Sequence, residues 1–214
     1  MKKFFVLAVL FLLPITAYLF FASGVNNFAK LPVLTSGVKN IENLTTYADS
    51  TVSLEGNISV VAFFGTDPED LQGNTFNLDQ KILRNFYGFH DFQFLIILPE
   101  EAKEEAAKFV DEFDEITDPS HWKFAFGTRE EVKTIFESFD TNLELDDNLQ
   151  TPYVFIIDKD LNLRGRLEDE DVGKMFGYDS RSVFILNSKM KDDMKIILAE
   201  YRLALKKNNT RSTN

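Results

Sequence analysis

The chain has 214 residues, 34 acidic against 23 basic, a net charge of -11, two histidines, 22 phenylalanines and no cysteine. An apolar fraction of 44% supports a packed core and excludes a disordered chain. Without cysteine there is no disulfide, thiol redox step, Cys-ligated zinc, iron–sulfur cluster or cysteine nucleophile, and a chain this acidic lacks the basic face that nucleic acid needs.

Lys2 and Lys3 precede 19 uncharged residues, 4–22. At about 1.5 Å per residue, a helix of that length matches the hydrocarbon core of a bilayer. Residues 1–24 therefore read as an uncleaved signal-anchor, a transmembrane helix. The alternative is a signal peptide cleaved near Ala22-Ser23-Gly24. The apolar run continues through Tyr18, Leu19, Phe20 and Phe21, which favours the anchor, and membrane helices tolerate a proline such as Pro14. The basic pair on the short side keeps the N-terminus cytoplasmic. The expectation is a single-pass protein of the inner membrane with its soluble part in the periplasm.

Residues 25–50 carry no sustained period and read as a tether and an edge strand, with a short apolar piece at 31–34. One regular domain is expected over 51–206. Residues 58–64 are almost entirely apolar and end at Gly65, as a buried central strand should. Helical spacing over 75–87 turns Phe76, Ile82, Leu83 and Phe86 inward, with Gly88 as the stop. A second buried strand covers 92–98. Pro99 then opens a helix with Ala102, Ala106, Phe109, Val110 and Phe113 on one stripe, and Glu104 is spaced to pair with Lys108.

A third strand covers 122–126. Thr128 and Glu131 have capping-box spacing for a helix that buries Val132, Ile135, Phe136 and Phe139. A fourth strand, 153–157, turns at Asp158-Lys159-Asp160-Leu161 into a fifth, 162–167. The last helix, about 182–205, puts Met190, Met194, Ile197, Leu198, Tyr201 and Leu205 on one side, and 207–214 reads as a disordered polar tail. Parallel buried strands joined by helical crossovers, then an antiparallel hairpin, predict an α/β thioredoxin-like fold: a central mixed sheet flanked by helices.

The details carry a resemblance. Residues 60–71, Val-Val-Ala-Phe-Phe-Gly-Thr-Asp-Pro-Glu-Asp-Leu, resemble the strand and active-site loop of the Sco/SenC family. These are membrane-tethered, thioredoxin-fold copper chaperones that help build cytochrome c oxidase. The likeness continues from His121-Trp122 to Phe136 and through the strand and turn at 153–160. The family's copper ligands are a Cys-x-x-x-Cys pair and a later histidine. Asp67, Leu71 and Gln150 stand at the corresponding positions here, with Thr66 beside the first. Leucine ligates nothing, the soft thiolates that select Cu(I) are absent, and neither His90 nor His121 falls at the ligand position. The resemblance therefore implies a scaffold without its family's copper or thiol chemistry and without a cofactor. It also implies a cis peptide before Pro152, facing the active-site loop; the alternative is a trans proline opening the strand.

Other carboxylates fit bland roles better than chemical ones. Asp67 and Asp70 sit where open α/β sheets bind ligands and could hold a hard cation or a small anion, but such a pair more often charges a helix N-terminus. Asp158, Asp160 and Asn162 mimic the start of an EF-hand, yet Leu163 replaces the required glycine. The acidic run 168–171 reads as a solvated loop, or else as a contact for a basic partner. No nucleophile–base arrangement is visible. The expectation is a non-enzymatic, membrane-tethered protein that binds protein partners, such as oxidase subunits or a Cys-bearing Sco protein. The alternative is a metal-ion or small-anion binding module at Asp67 and Asp70.

Overall fold

The computed structural model describes residues 2–23, 30–46, 52–89 and 91–212. His90 lies outside them. Helix α1, Lys2–Ser23, holds the one stretch among the described residues, Lys3–Phe20, that is long and apolar enough to cross a membrane, and none of that stretch is buried.

Strands β3 (Ile58–Phe64), β4 (Phe92–Pro99) and β5 (Trp122–Gly127) form the parallel heart of the sheet. Every residue of β3 and β4 is buried, which is why both read as unbroken apolar runs. Strand β6 (Gln150–Ile157) lies antiparallel to β3, and β7 (Asn162–Arg164) hairpins back onto β6. Strand β1 (Val33–Ser36) closes one edge against β7, and β2 (Thr45–Thr46) closes the other against β5. The order is β1-β7-β6-β3-β4-β5-β2. The stretch expected as a tether thus runs from one edge of the sheet to the other. It buries Leu31, Val38 and Ile41 on the way, so most of its described part belongs to the domain.

Alternation along the strands sorts the core onto two faces. Val60, Ala62 and Phe64 meet α2 (Pro68–Leu78), α4 (Lys103–Asp114) and α7 (Lys191–Ser212) on one side. Val61 and Phe63 meet α5 (Arg129–Glu137) on the other. The predicted stripes are buried: Ala106, Phe109, Val110 and Phe113 in α4; Val132, Ile135 and Phe136 in α5. Thr128 and Glu131 form the capping box. Lys108 pairs with Glu105 at 2.5 Å rather than with Glu104.

Two helical boundaries differ from expectation. The first crossover starts at Pro68, seven residues early, and continues through a π turn at Asp79–Leu83 into α3, Arg84–Phe86. The last begins as α6, Val183–Ile185, passes a second π turn at Leu186–Met190, and runs as α7 to Ser212. The expected polar tail begins inside that helix, since extending a formed helix needs no new nucleus.

The predicted strand over 162–167 is broken at Gly165, where a Cβ would lie 2.3 Å from the Met175 carbonyl. Beyond it, β8 (Arg166–Asp169) and β9 (Gly173–Met175) make a separate hairpin, and β10 (Tyr178–Asp179) returns to β6. The acidic run is therefore only partly a solvated loop. Asp169 is buried, with its carboxylate 2.6 Å from Lys189 and 3.3 Å from Arg166, while Arg166 also grips Asp193 at 2.7 Å. Tyr178 donates to the same Asp193 at 2.7 Å. This network pins the β8–β9 hairpin to the start of the last helix.

Burial alone would raise the Asp169 carboxyl, but the Lys189 ammonium and the Asp171 and Val172 amides outweigh it and hold it below the usual carboxylate range. A carboxyl depressed by folding stabilises the native state above its unfolded pKa of about 3.9, and that contribution is lost as pH falls through the folded value. Unfolding free energy is therefore expected to drop below about pH 4. Asp169→Asn should make that acid limb shallower. A limb unchanged by the substitution would show that other carboxyls govern it.

Candidate functional site

The C-terminal end of β3 leads into the turn Gly65-Thr66-Asp67 and then α2. Gly65 has φ +64, and a Cβ there would sit 2.6 Å from the Asn148 carbonyl and 2.8 Å from Gln150 Cβ. Glycine is thus required twice, by the left-handed backbone and by the close passage of the 146–150 loop. That loop is held from within: the Asp146 carboxylate accepts the Asn148 and Gln150 amides, each at 2.9 Å. Gly65→Ala is expected to cost about 2 kcal/mol or more of stability by denaturant unfolding. An unchanged midpoint would mean that the two loops separate freely.

Asp67 is the N-cap of α2. Its carboxylate accepts the Glu69 amide at 2.9 Å, and Pro68 occupies the first helical position, where a missing N–H is harmless. Leu71, at the second cysteine position of the resemblance, is 4% exposed and belongs to the core. Thr66 is half-buried at the head of the turn. Gln150 reaches across from β6 and donates its side-chain amide to the Asp70 carboxylate. The fold therefore brings Gln150 to the 67–71 segment, and its partner there is Asp70.

The expected cis peptide is absent: Thr151–Pro152 is trans. The β3–β6 register jumps from Ala62↔Val154 to Phe64↔Gln150, so Pro152 falls in an irregularity where the ladder asks it for no amide hydrogen. Its carbonyl accepts from the Ser180 amide at 2.9 Å and from the Ser180 hydroxyl at 2.7 Å.

A groove of about 400 Å³ opens next to Tyr153 of β6. Leu143, Tyr153, Val172, Phe176 and Ile185 line it, with Lys174 and Asp179 at polar positions. Lys174 Nζ lies 4.4 Å from the centre of the Phe176 ring. Arg181 grips Asp179 at 2.8 Å, and that hydrogen bond, foremost, holds the Asp179 carboxyl below its ordinary range. Val172 is 61% exposed, and Phe184, next to the lining residue Ile185, is 68% exposed. Acidic stretches flank the groove. Residues 137–150 carry Glu137, Asp140, Glu144, Asp146 and Asp147 without a basic residue, and Glu168 and Glu170 are exposed on the hairpin.

His121 contributes to neither feature. It is buried with Nδ1 2.7 Å from the Phe92 carbonyl and Nε2 3.0 Å from that of Tyr87, a structural tie between β4 and the end of the first crossover. Asp158 is likewise structural. It accepts the Asp160 and Asn162 amides at 2.9 Å and pairs with Arg164, as a turn residue. The described residues contain no group of three or more histidine, aspartate or glutamate side chains placed to hold a metal. The sequence does not announce the groove, because its walls come from four separate segments, at 142–143, 153, 172–179 and 185. The run Val183-Phe184-Ile185, apolar but only partly buried, was the available signal.

No family model and no curated protein matches the sequence. Solved structures do match the fold. BsSco, a member of the Sco family of cytochrome c oxidase assembly proteins, superposes with a TM-score of 0.51 at 14% identity over 75% of this chain and 99% of its own. A putative thiol:disulfide interchange protein DsbE from Chlorobium tepidum gives 0.52 at 13%, over 79% and 99%. A putative electron transfer protein from Aquifex aeolicus VF5 gives 0.52 at 14%, over 77% and 92%.

The fold is thioredoxin-like. Identities this low carry the architecture and no more. Within the thioredoxin-like domain the turn after β3 holds Asp67 as a cap and Leu71 as core, so neither position offers a thiol or a free ligand. The Asp67 and Asp70 carboxylates each accept an amide already, from Glu69 and from Gln150.

Proposed function

We propose that this protein is a non-enzymatic, membrane-tethered scaffold of the periplasmic face. In this reading it binds a protein partner through the groove lined by Tyr153, Phe176 and Ile185. The observation that carries the reading is the fate of the 67–71 segment: its positions serve the fold, as a helix cap and a core leucine, within an architecture shared with Sco and thiol:disulfide interchange proteins. The absence of cysteine removes thiol exchange by this chain. The apolar α1 supports the tether. The description of BsSco as an oxidase assembly protein suggests the process, assembly of a respiratory oxidase, and hence an oxidase subunit or a Cys-bearing Sco protein as partner. The groove suggests the chemistry of contact: an apolar floor between acidic flanks suits a segment that is itself apolar and basic.

In-cell crosslinking of the native protein, followed by identification of the attached chains, tests the proposal. Recovery of an oxidase subunit or a Cys-bearing Sco protein is expected. Val172→Asp combined with Phe184→Asp should abolish recovery, while Asp67→Ala should leave it intact and cost only about 1 kcal/mol of stability through the lost cap. Reproducible recovery of unrelated envelope proteins would overturn the oxidase assignment. Loss of crosslinks on Asp67→Ala, with the protein folded, would return the site to the turn. Resistance to alkaline carbonate extraction is expected of the tether, and a soluble product starting near Val25 would refute it.

A further inference from the structure

The charge of this chain is not evenly spread. After Glu200, residues 201–214 contain Arg202, Lys206, Lys207 and Arg211 and no acidic residue, in a protein whose net charge is -11. Through Ser212 this stretch is the continuation of α7, and Arg202 and Leu203 are exposed on it. Arg202 has no ion-pair partner among the described residues, whereas Arg164, Arg166 and Lys189 are all paired.

The chain arriving from α1 lands beside the middle of this helix, at Glu200. The Leu31 carbonyl accepts from Arg164 Nε at 2.8 Å, Arg164 Nη2 lies 2.7 Å from Glu200, and Lys30 Nζ lies 3.6 Å from the same carboxylate. Only six residues, 24–29, separate Ser23 at the end of α1 from Lys30. Seven peptide steps span at most about 25 Å, so Lys30, paired with Glu200 in the middle of α7, stays within that distance of the end of α1. A cavity of about 470 Å³ opens there too, with Ile58, Phe89 and Leu198 as its apolar wall and Lys159 and Arg202 among its polar residues.

We infer that the basic end of α7 docks on the anionic lipid surface of the membrane that α1 enters. The inference rests on the tether reading above. Four basic residues in a stretch that has no acidic residue after Glu200, with Arg202 and Leu203 exposed, give this part of the helix an attraction to anionic headgroups. Ile58, at the start of β3, lines the cavity at the docked end, and Gly65 follows the other end of that strand. A seven-residue strand rising about 3.3 Å per residue therefore separates the turn after β3 from that cavity by roughly 20 Å.

The test is hydrogen exchange on the full chain in nanodiscs of phosphatidylcholine alone and of phosphatidylcholine mixed with phosphatidylglycerol. Amides of residues 201–212 are expected to exchange at least about tenfold more slowly in the anionic discs, since each basic residue near such a surface contributes about 1 kcal/mol. High salt should erase the difference. Replacing Arg202, Lys206, Lys207 and Arg211 by glutamine, which keeps helix propensity, should also erase it. Equal exchange in the two discs, or a difference that survives the four substitutions, would overturn the inference. A protein that fails to co-elute with phosphatidylcholine discs would refute the tether instead. The same exchange experiment with added phosphatidylglycerol vesicles then decides the docking separately: slowed, salt-sensitive exchange supports it and unchanged exchange sinks it.

Discussion

Arg164→Met is expected to lower the unfolding free energy by about 3–5 kcal/mol, the usual cost of stranding buried charge. The Arg164 guanidinium is 5% exposed and holds two carboxylates, Asp158 at 2.8 Å and Glu200 at 2.7 Å, together with the Leu31 carbonyl. Methionine matches the stem as far as Nε and keeps its apolar contacts, so the loss is mainly electrostatic. The Asp158 carboxylate, 1% exposed, would keep only the donors of its own turn. For a domain of this size the change should move the melting temperature by about 10 °C. Trp122, the one tryptophan, is buried against Phe94 at 4.3 Å and gives a fluorescence readout in denaturant. A loss under about 1 kcal/mol would mean that the cluster behaves as a solvated surface pair.

Phe63→Ala should cost about 4 kcal/mol. Phe63 is fully buried, with ring centres of Phe136, Phe139 and Phe155 at 5.3, 5.7 and 6.3 Å, all edge-on. Phe136 and Phe139 also flank Phe155, so the four rings form one closed set that joins β3, β6 and the end of α5. Removing the central ring leaves a cavity that rigid neighbours cannot fill. Phe63→Leu should cost markedly less, and equal losses for the two variants would show that ring packing is not what is measured.

These two positions mark what the sequence makes legible. Phe63 was readable as core because a strand buried on both faces is a continuous apolar run, and 58–64, 92–98 and 122–126 matched their strands to within a residue for that reason. Arg164 was not readable. A buried arginine looks like any surface arginine until partners at Leu31 and Glu200 are placed beside it. Strands β2, β8, β9 and β10 escaped notice because two to four residues hold too little period, and non-local pairing decides their conformation.

Helix α2 was placed late because its first turns carry Gly73 and the buried polar residues Asn74 and Thr75 where apolar residues were sought. The pair Asp67-Pro68, a cap followed by proline, was the start signal that periodicity overlooked. At the candidate site, the resemblance placed Gln150 opposite the 67–71 segment, as the fold does. It could not reveal that Asp70 takes the contact, and its cis proline is trans here.

The strand order also sets a timetable. Strand β1, first of the sheet to be synthesised, pairs only with β7, through Val33↔Arg164, and β3 waits for β6 to supply Ile157 opposite Ser59. A nascent chain that has emerged as far as β5 has three parallel strands with no cover on the β6 side, and the last helix, from Val183 onward, has yet to appear. Such distant pairings make folding slow and nearly all-or-none. Helix α1 is made first and the sheet closes last, so the chain stays without its full sheet for most of its synthesis.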